Sequence, residues 1–213
     1  MGSCYGDRSE HNLSFRRVRE YSFIYSDSKY YNDLWRFDLA TLAFEKVQQQ
    51  GDLPPPCSNF TLTYHQRKNM LLLFGGGTLN KEKLNSIYKL DLSNLSWSKV
   101  EFDESSPQPW QRSYHCAEMI GQYLVITGGE YFHDLDDTWL FDLHANQWRE
   151  IKLSEEALKP KARKFASSFI HGNKLFVMGG CTGKYECVDD CFEMDFSEFL
   201  ESDNIKSLFW EKV

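Results

Sequence analysis

Side chains capable of catalysis are present in the sequence, but not at the spacings that catalytic motifs require. The chain contains no G-x-S-x-G nucleophile motif, no phosphate-binding P-loop and no H-E-x-x-H zinc motif. His11 and His115 have no nucleophile or carboxylate partner at a fixed spacing. A buried histidine that holds a loop is therefore favoured over a general base at both positions. We assign no catalytic residues from the sequence.

Three cysteines form the set that comes nearest to a metal site. Cys181, Cys187 and Cys191 could supply thiolate ligands, but the chain has no C-x-x-C pair of the kind that zinc sites use. The repeat pattern described below also places Cys191 at an ordinary strand position. Six cysteines in 213 residues, irregularly spaced, do not make a disulfide scaffold. The sequence therefore predicts reduced thiols, no metal site and no cofactor.

Charge and hydropathy exclude two classes of partner. The chain has 31 acidic and 24 basic residues and a net charge of −7, and an acidic surface repels a phosphate backbone. No window approaches 18 consecutive apolar residues, and residues 1–14 lack the apolar stretch of a signal peptide. We therefore expect no nucleic-acid partner, no membrane segment and a cytoplasmic or nuclear location.

The elements that position any site come from a repeat of about 52 residues. A double glycine follows an apolar run three times, within residues 71–76, 124–129 and 175–180. Four aspartates, each between apolar residues, lie 53, 51 and 53 residues apart, at Asp38, Asp91, Asp142 and Asp195. An aromatic residue follows the first three of these aspartates after six residues, whereas Trp210 follows the fourth after fifteen. The fourth copy therefore carries a nine-residue insertion.

The openings of the copies set the repeat boundaries. Arg8-Ser9-Glu10-His11 and Arg112-Ser113-Tyr114-His115 lie 104 residues apart, which is two periods. The copy between them keeps only Ser58 of this opening, and the last copy keeps only Arg163. We expect one domain over residues 1–213, with repeats at about 8–47, 57–100, 112–151 and 163–213.

Each copy is predicted to form four short strands, and no helix is needed. Runs rich in Val, Ile, Phe, Tyr and Trp alternate with Gly, Pro, Asn and Asp about every ten residues. In the third copy the strands are predicted at 115–120, 123–127, 138–143 and 148–153. The second is apolar throughout, as expected of a strand buried on both faces. The in-phase tryptophans Trp97, Trp148 and Trp210 are expected in the core.

This signature resembles the kelch repeat. Repeated four-stranded units are typical of propeller blades, and the double glycine, the aromatic residue with Asp and the Trp six residues later keep their phase through most copies. The resemblance implies an all-β, kelch-type β-propeller with four four-stranded blades. Kelch propellers usually have five to seven blades, so the chain is expected to be a compact four-bladed ring or, in preference, an arc of a longer propeller.

The resemblance also implies a non-catalytic protein-interaction module. In kelch adaptors, residues ahead of the first strand and in the loop after the double glycine line one face around the central channel. Carried over by position, these are Arg8, Ser9, Ser58, Arg112, Ser113, Arg163 and Lys164, with the loop residues Thr78, Glu130, Tyr131 and Lys184. Converging arginines would bind an acidic segment or a C-terminal carboxylate of a partner protein. The alternative is that these arginines brace neighbouring blades through backbone carbonyls.

Three further expectations follow from the sequence and the resemblance. Trp110 lies out of phase, beside Pro107 and Pro109, and is expected to be an exposed partner contact. The family implies a substrate receptor of a cullin-type ubiquitin ligase, or a scaffold for other partners. The rival function is an iron or copper enzyme or specifier protein. Glu130, Asp134 and Thr138 match the E-x3-D-x3-H iron site of nitrile-specifier proteins except for the missing histidine.

Overall fold

The computed structural model describes residues 12–15, 29–103, 106–154, 156–183 and 186–213. The chain divides into two compact units, Met1–Val100 and Glu101–Val213. The described residues form mainly short antiparallel strands, which confirms the predicted all-β class. No helix in the described ranges is long and apolar enough to cross a lipid bilayer.

The first unit holds a three-stranded sheet, a larger mixed sheet and a small two-stranded ribbon. Its strands are β1 (Asn12–Phe15), β2 (Leu34–Asp38), β3 (Ala43–Val47), β4 (Gln50–Gly51), β5 (Cys57–Ser58), β6 (Thr61–His65), β7 (Met70–Phe74), β8 (Gly77–Thr78), β9 (Ile87–Asp91) and β10 (Ser96–Lys99). The sheet orders are β1-β2-β3, β4-β10-β9-β7-β6 and β5-β8. All pairs are antiparallel except β4 with β10.

The core of the first unit joins its two larger sheets. Leu34 and Val47 from β2 and β3 pack in one buried cluster with Leu73, Leu90 and Trp97 of the second sheet. All five residues of β7 are buried, because this strand is covered on both faces. The second sheet therefore depends on β7 for much of its apolar contact.

The second unit contains two four-stranded antiparallel sheets. Its strands are β11 (Cys116–Ile120), β12 (Tyr123–Thr127), β13 (Thr138–Asp142), β14 (Gln147–Glu150), β15 (Ser167–His171), β16 (Lys174–Met178), β17 (Cys181–Thr182), β18 (Glu186–Cys187), β19 (Cys191–Asp195) and β20 (Trp210–Lys212). The sheet orders are β11-β12-β13-β14 and β15-β16-β19-β20, and β17 pairs with β18 as a separate hairpin. The repeat period thus produces one four-stranded meander per copy in this unit.

The two sheets of the second unit share a single apolar cluster. Val125 and Leu140 from the first sheet pack with Val177, Met194 and Trp210 from the second. Trp97, Trp148 and Trp210 are all buried, as predicted from their phase. Removal of this apolar area from water is the main force that holds neighbouring sheets together.

The insertion in the fourth copy forms a helix, which the sequence analysis did not expect. Helix α1 spans Ser197–Ser202, and a 3-10 turn covers Ile205–Ser207. Phe199 on α1 is buried, and its ring lies 4.9 Å from the ring of Tyr123. The expectation that no helix is needed was therefore wrong for the insertion, because these residues cover the apolar cluster and add no strand.

Each double glycine turns the chain away from its sheet where another backbone segment passes close by. Gly129 has a φ of +94°, and a Cβ atom there would lie 2.7 Å from the Cβ atom of His115 and 2.8 Å from the carbonyl oxygen of Ser113. A side chain larger than hydrogen does not fit at this distance. The glycine therefore lets the loop after β12 lie against the segment ahead of β11.

Candidate partner-binding surface

The arginine that opens the third repeat is completely buried. The Arg112 side chain is 0% exposed, and its Nη1 and Nη2 atoms each donate to a carboxylate oxygen of Asp137 at 2.7 Å. Nη1 also donates to the Gly128 carbonyl at 3.0 Å, and Nε donates to the Trp110 carbonyl at 3.0 Å. The guanidinium therefore ties the segment before β11 to the loop between β12 and β13.

The fourth repeat contains the same arrangement. The Nη atoms of Arg163 donate to Asp190 at 2.5 Å and 3.0 Å. Its Nη1 atom donates to the Gly179 carbonyl and its Nε atom to the Lys161 carbonyl, both at 3.0 Å. The alternative expected from the sequence is that the arginines brace neighbouring blades through backbone carbonyls. Each guanidinium instead contacts one carbonyl in its own repeat and one two residues before it, and it also pairs with a carboxylate.

These ion pairs keep both carboxylates charged. Burial alone would raise the pKa of Asp137, but hydrogen bonds and charge from Arg112 outweigh this effect and lower the pKa. Hydrogen bonds from Arg163 lower the pKa of Asp190 in the same way. Both arginines therefore face ionised partners at neutral pH.

The second repeat has neither member of this pair. Its Gly75 amide donates to the Ser86 carbonyl, just as the Gly128 amide donates to that of Asp137. Ser86 thus occupies the aspartate position, and Cys57 occupies the arginine position at the start of the repeat. A buried charge without its partner is costly. The second repeat avoids this cost because both positions are uncharged.

The lysine beside Arg163 is held by two carboxylates of the third repeat. Lys164 Nζ forms a hydrogen-bonded ion pair with Glu130 and lies 3.4 Å from Asp134. Burial opposes the charge on Lys164, but these carboxylates outweigh it and raise the pKa. The other oxygen of Asp134 accepts a hydrogen bond from the Gly183 amide at 2.7 Å. This network connects the loops of the third and fourth repeats.

Aromatic rings extend into solvent beside this network. The Trp110 side chain is 66% exposed, and its ring stacks on Tyr131 with centroids 6.0 Å apart and planes inclined by 18°. Tyr131 also contacts Phe132, which is 84% exposed, with ring centroids 4.0 Å apart. Large exposed aromatic groups that contact each other are typical of partner-binding surfaces. The exposure predicted for Trp110 is confirmed.

A second aromatic pair occupies an unfavourable backbone conformation. Tyr114 and Phe165 both have a φ of 60°, and their ring centroids lie 4.3 Å apart. The corresponding residue of the second repeat is Asn59, with a φ of 59°. Asparagine adopts this left-handed conformation readily, whereas bulky side chains rarely do. The second unit therefore keeps two aromatic residues where the backbone favours asparagine.

Backbone hydrogen bonds connect the segments that carry the two aromatic groups. Ser113 and Glu130 exchange backbone hydrogen bonds at 2.9 Å and 3.1 Å, which places Tyr114 and Tyr131 next to the same bridge. The Phe165 amide donates to the Tyr114 carbonyl at 3.1 Å. We use the name aromatic surface for Trp110, Tyr114, Tyr131, Phe132 and Phe165.

The residues predicted to bind a partner fall into three groups. Arg8 and Ser9 lie outside the described residues, as does the loop residue Lys184. Ser58 lies in the β5–β8 ribbon of the first unit. Arg112, Ser113, Arg163 and Lys164 are buried, whereas Trp110 is exposed and Tyr131 is half-buried. Partner binding by these residues stays a prediction.

Tyr114, Phe132 and Phe165 were not predicted as site residues from the sequence. Tyr114 and Phe165 directly follow Ser113 and Lys164 at the openings of their repeats. An alignment of the repeats at this position would have identified two aromatic residues opposite an asparagine. Phe132 lies in a loop of variable length, so the repeat gives no signal for it.

The described side chains do not form a three-ligand metal site. No group of three or more His, Cys, Asp or Glu residues is arranged to hold one metal ion in the described part of the chain. Glu130 and Asp134 of the iron-like motif both face Lys164. Thr138, at the position of the missing histidine, is buried with its hydroxyl 3.0 Å from that of Thr127.

Comparison with known proteins identifies relatives that share the repeat. The chain is 32% identical over 163 residues to Adagio-like protein 1 of Oryza sativa subsp. japonica, covering 74% of this chain and 25% of the relative. It is 31% identical over 165 residues to Tip elongation aberrant protein 1 of Schizosaccharomyces pombe, covering 74% and 14%. It is 30% identical over 175 residues to the host cell factor homolog hcf-1 of Caenorhabditis elegans, covering 71% and 22%. The chain thus spans a quarter or less of the length of these relatives.

A family model gives the same assignment. The KLHDC2/KLHL20/DRC7 Kelch-repeats domain matches residues 23–202, which include the strands of the second unit up to β19 and most of the first. Kelch-repeat proteins are typically protein-interaction modules, and most are not catalytic. The repeat, the β-meanders and this match agree, and the chain belongs to the KLHDC2/KLHL20/DRC7 Kelch-repeats domain family.

Proposed function

We propose that this protein is a non-catalytic interaction module that binds a partner protein through the aromatic surface of its second unit. The observation that carries the proposal is the pair Tyr114 and Phe165, two bulky residues in left-handed backbone whose segments are hydrogen-bonded to each other, together with the exposed Trp110 and Phe132. Backbone strain of about 1–3 kcal/mol per residue persists only where the surrounding structure imposes it, and it concentrates at functional sites.

Aromatic rings are effective contacts for a partner because each buries a large apolar area with few rotatable bonds. Trp and Tyr are enriched among the residues that dominate binding energies at interfaces. Trp110 is already stacked on Tyr131, so little side-chain freedom would be lost when a partner covers the pair. An apolar or aromatic segment of a partner is the occupant that fits this surface.

In this proposal the buried cations hold the surface in place. Arg112 donates to the carbonyl of Trp110, and Lys164 precedes Phe165 and pairs with Glu130, which precedes Tyr131. Each cation thus fixes the backbone next to an aromatic residue. Recognition of an acidic segment or a C-terminal carboxylate stays a finer prediction, and it would require a guanidinium to release Asp137 or Asp190.

The test is capture of partner proteins by the full chain and by matched variants. In the test variant Trp110, Phe132 and Phe165 are changed to serine. In the control variant Phe44 and Phe209, which are 65% and 56% exposed, are changed to serine. We expect proteins captured by the wild type and the control to be lost from the test variant, and binding of a purified captured protein to weaken at least about tenfold.

Capture by the two variants tests the surface, and the dependence of affinity on salt tests the mode of recognition. Equal capture by the test and control variants, with unchanged circular dichroism spectra, would refute the aromatic surface. For a confirmed partner, affinity that changes little between about 50 and 500 mM salt supports apolar recognition, whereas a steep loss supports recognition of a carboxylate. The ubiquitin-ligase role and the cytoplasmic or nuclear location stay predictions from the family resemblance and the sequence.

A further inference from the structure

We propose that Cys181 and Cys187 form a reversible disulfide, with hydrogen peroxide as the oxidant. The two residues face each other across the β17–β18 hairpin, and their Sγ atoms lie 3.5 Å apart. Cys187 is exposed and Cys181 is half-buried. Cys57 and Cys116 are buried by comparison. The hairpin therefore presents two thiols together at the protein surface.

The backbone register supports closure of this bond. The amide of Cys181 donates to the Lys164 carbonyl at 2.8 Å, and the Lys164 amide donates to the Cys181 carbonyl at 3.0 Å. Both backbone groups of Cys181 therefore point away from Cys187, which makes Cys181 and Cys187 a non-hydrogen-bonded pair. In such pairs the Cα atoms lie about 4.5 Å apart, within the range that a disulfide spans.

The same hairpin position carries different chemistry in the second, third and fourth repeats. The corresponding bridges join Gly77 to Lys83 in the second repeat and Glu130 to Asp134 in the third. The third repeat therefore has two carboxylates at this position, where the fourth has two thiols. The loop geometry does not require cysteine at either place, so the thiol pair is a specific feature of the fourth repeat.

The environment assigns a different role to each sulfur. The hydrogen bond with Cys187 raises the pKa of Cys181, and burial adds to this effect. Cys181 thus holds its proton, while Cys187 is the thiol that solvent reaches more easily. The nearby charges act in opposite directions, because Lys164 lowers and Asp134 raises the pKa of Cys181. Because Cys187 is exposed and Cys181 holds its proton, Cys187 is the residue that reacts first with peroxide.

The reaction balances in two steps. The thiolate of Cys187 attacks one peroxide oxygen, an S–O bond forms, the O–O bond breaks, and the departing hydroxide is protonated to water. Cys181, after losing its proton to solvent, then attacks the Cys187 sulfur, so that the S–S bond forms and the S–O bond breaks with release of a second water. Two thiols are oxidised and one peroxide is reduced. Exchange with a small thiol such as glutathione returns both cysteines to the reduced form.

The experiment uses the full reduced chain treated with hydrogen peroxide, followed by denaturation and alkylation of the remaining thiols. The chain has six cysteines, so we expect four alkyl groups on the oxidised wild type and six after reduction. The C191S variant should form the same bond, with a linked peptide pair that contains Cys181 and Cys187. The C181S and C187S variants should not form it.

A second readout separates a disulfide from simple oxidation. Without Cys181, Cys187 has no thiol to resolve its sulfenic acid, so C181S should accumulate sulfinic and sulfonic acid at Cys187 about tenfold faster than the wild type. Equal overoxidation in both proteins, a predominant bond from Cys187 to Cys191, or six alkyl groups after peroxide treatment would each overturn the proposal.

Discussion

The openings of the second and third repeats share one backbone and differ in charge. In the third repeat Arg112 and Asp137 form a buried ion pair, whereas Cys57 and Ser86 occupy these positions in the second. Two backbone hydrogen bonds that follow the double glycine recur in both: the amides of Gly75 and Gly128 donate to the carbonyls of Ser86 and Asp137, and the amides of Leu84 and Leu135 donate to the carbonyls of Gly76 and Gly129. The glycines and the strand pairing therefore determine the loop path, and the ion pair is an addition that must be present or absent as a unit.

The largest effect on stability should come from breaking the Arg112–Asp137 ion pair. In Asp137→Ala, Arg112 is left buried and unpaired, and we expect the free energy of unfolding to fall by about 3–5 kcal/mol. Urea unfolding followed by circular dichroism measures the change. The matched control is Asp136→Ala, which removes a surface pair with Lys159 and should cost at most about 1 kcal/mol. Equal losses in the two variants would show that burial of the pair has no energetic consequence.

Introducing the second repeat's residues at these two positions of the third repeat should recover part of the lost stability. The double variant Arg112→Cys/Asp137→Ser leaves no unpaired charge, so we expect it to be more stable than Asp137→Ala by about 1–3 kcal/mol. A full double-mutant cycle with both single variants gives the coupling energy. If the double variant is as unstable as the sum of the single variants, the two residues do not act as a unit.

The same comparison predicts that the free energy of unfolding depends on pH through His115. Burial and the charge of Arg112 lower the pKa of His115 to about 3, so the unfolded chain binds a proton at this residue first. The stability that neutral, buried His115 contributes is fully present above about pH 6.5 and is lost as the pH falls towards 3. Between pH 7 and 5 we expect His115 to account for a loss of about 2 kcal/mol.

Phe60 is the residue of the second repeat that corresponds to His115, and it supplies the test variant. In His115→Phe the fall in unfolding free energy between pH 7 and 5 should be smaller than in the wild type by this amount. Urea titrations at four pH values measure it. If the free energy of unfolding falls with pH as steeply as in the wild type, other groups, and not His115, control stability in this range.

The smallest expected effect concerns the left-handed residues of the aromatic surface. Tyr114→Asn introduces the residue that the second repeat has at Asn59, and we expect a gain of up to about 1 kcal/mol because asparagine tolerates this backbone. Thermal unfolding measures the gain, and capture experiments should show weaker partner binding by the same variant. A destabilised variant would mean that the contact with the Phe165 ring outweighs the backbone strain.

The strands could largely be predicted from the sequence because they obey local rules. Residues 123–127 form the continuously apolar strand expected of them, and β13 begins at the predicted residue, Thr138. The predicted fourth strand, 148–153, is observed as Gln147–Glu150, because its end depends on pairing with β13. Helix α1 was missed because the insertion has no copy elsewhere in the chain with which to compare it.

The residues of the proposed partner-binding surface were less predictable, because residue type and repeat phase do not reveal which way a side chain points. Arg112 and Trp110 lie two residues apart, yet one is fully buried and the other is 66% exposed. Asp137 and Asp190 lie 25 and 27 residues beyond their arginines, and nothing in their spacing distinguishes them from other acidic residues. The aromatic surface likewise requires loops from two repeats to lie side by side.

The sequence by itself determined the repeat, the all-β class, the kelch family and the buried tryptophans, because these follow from the local spacing of apolar residues and glycines. The tertiary structure decided which charges are buried, which rings are exposed and which cysteines face each other. These features depend on contacts between segments far apart in the chain, and a repeat period fixes the order of such segments but not the partners of their side chains.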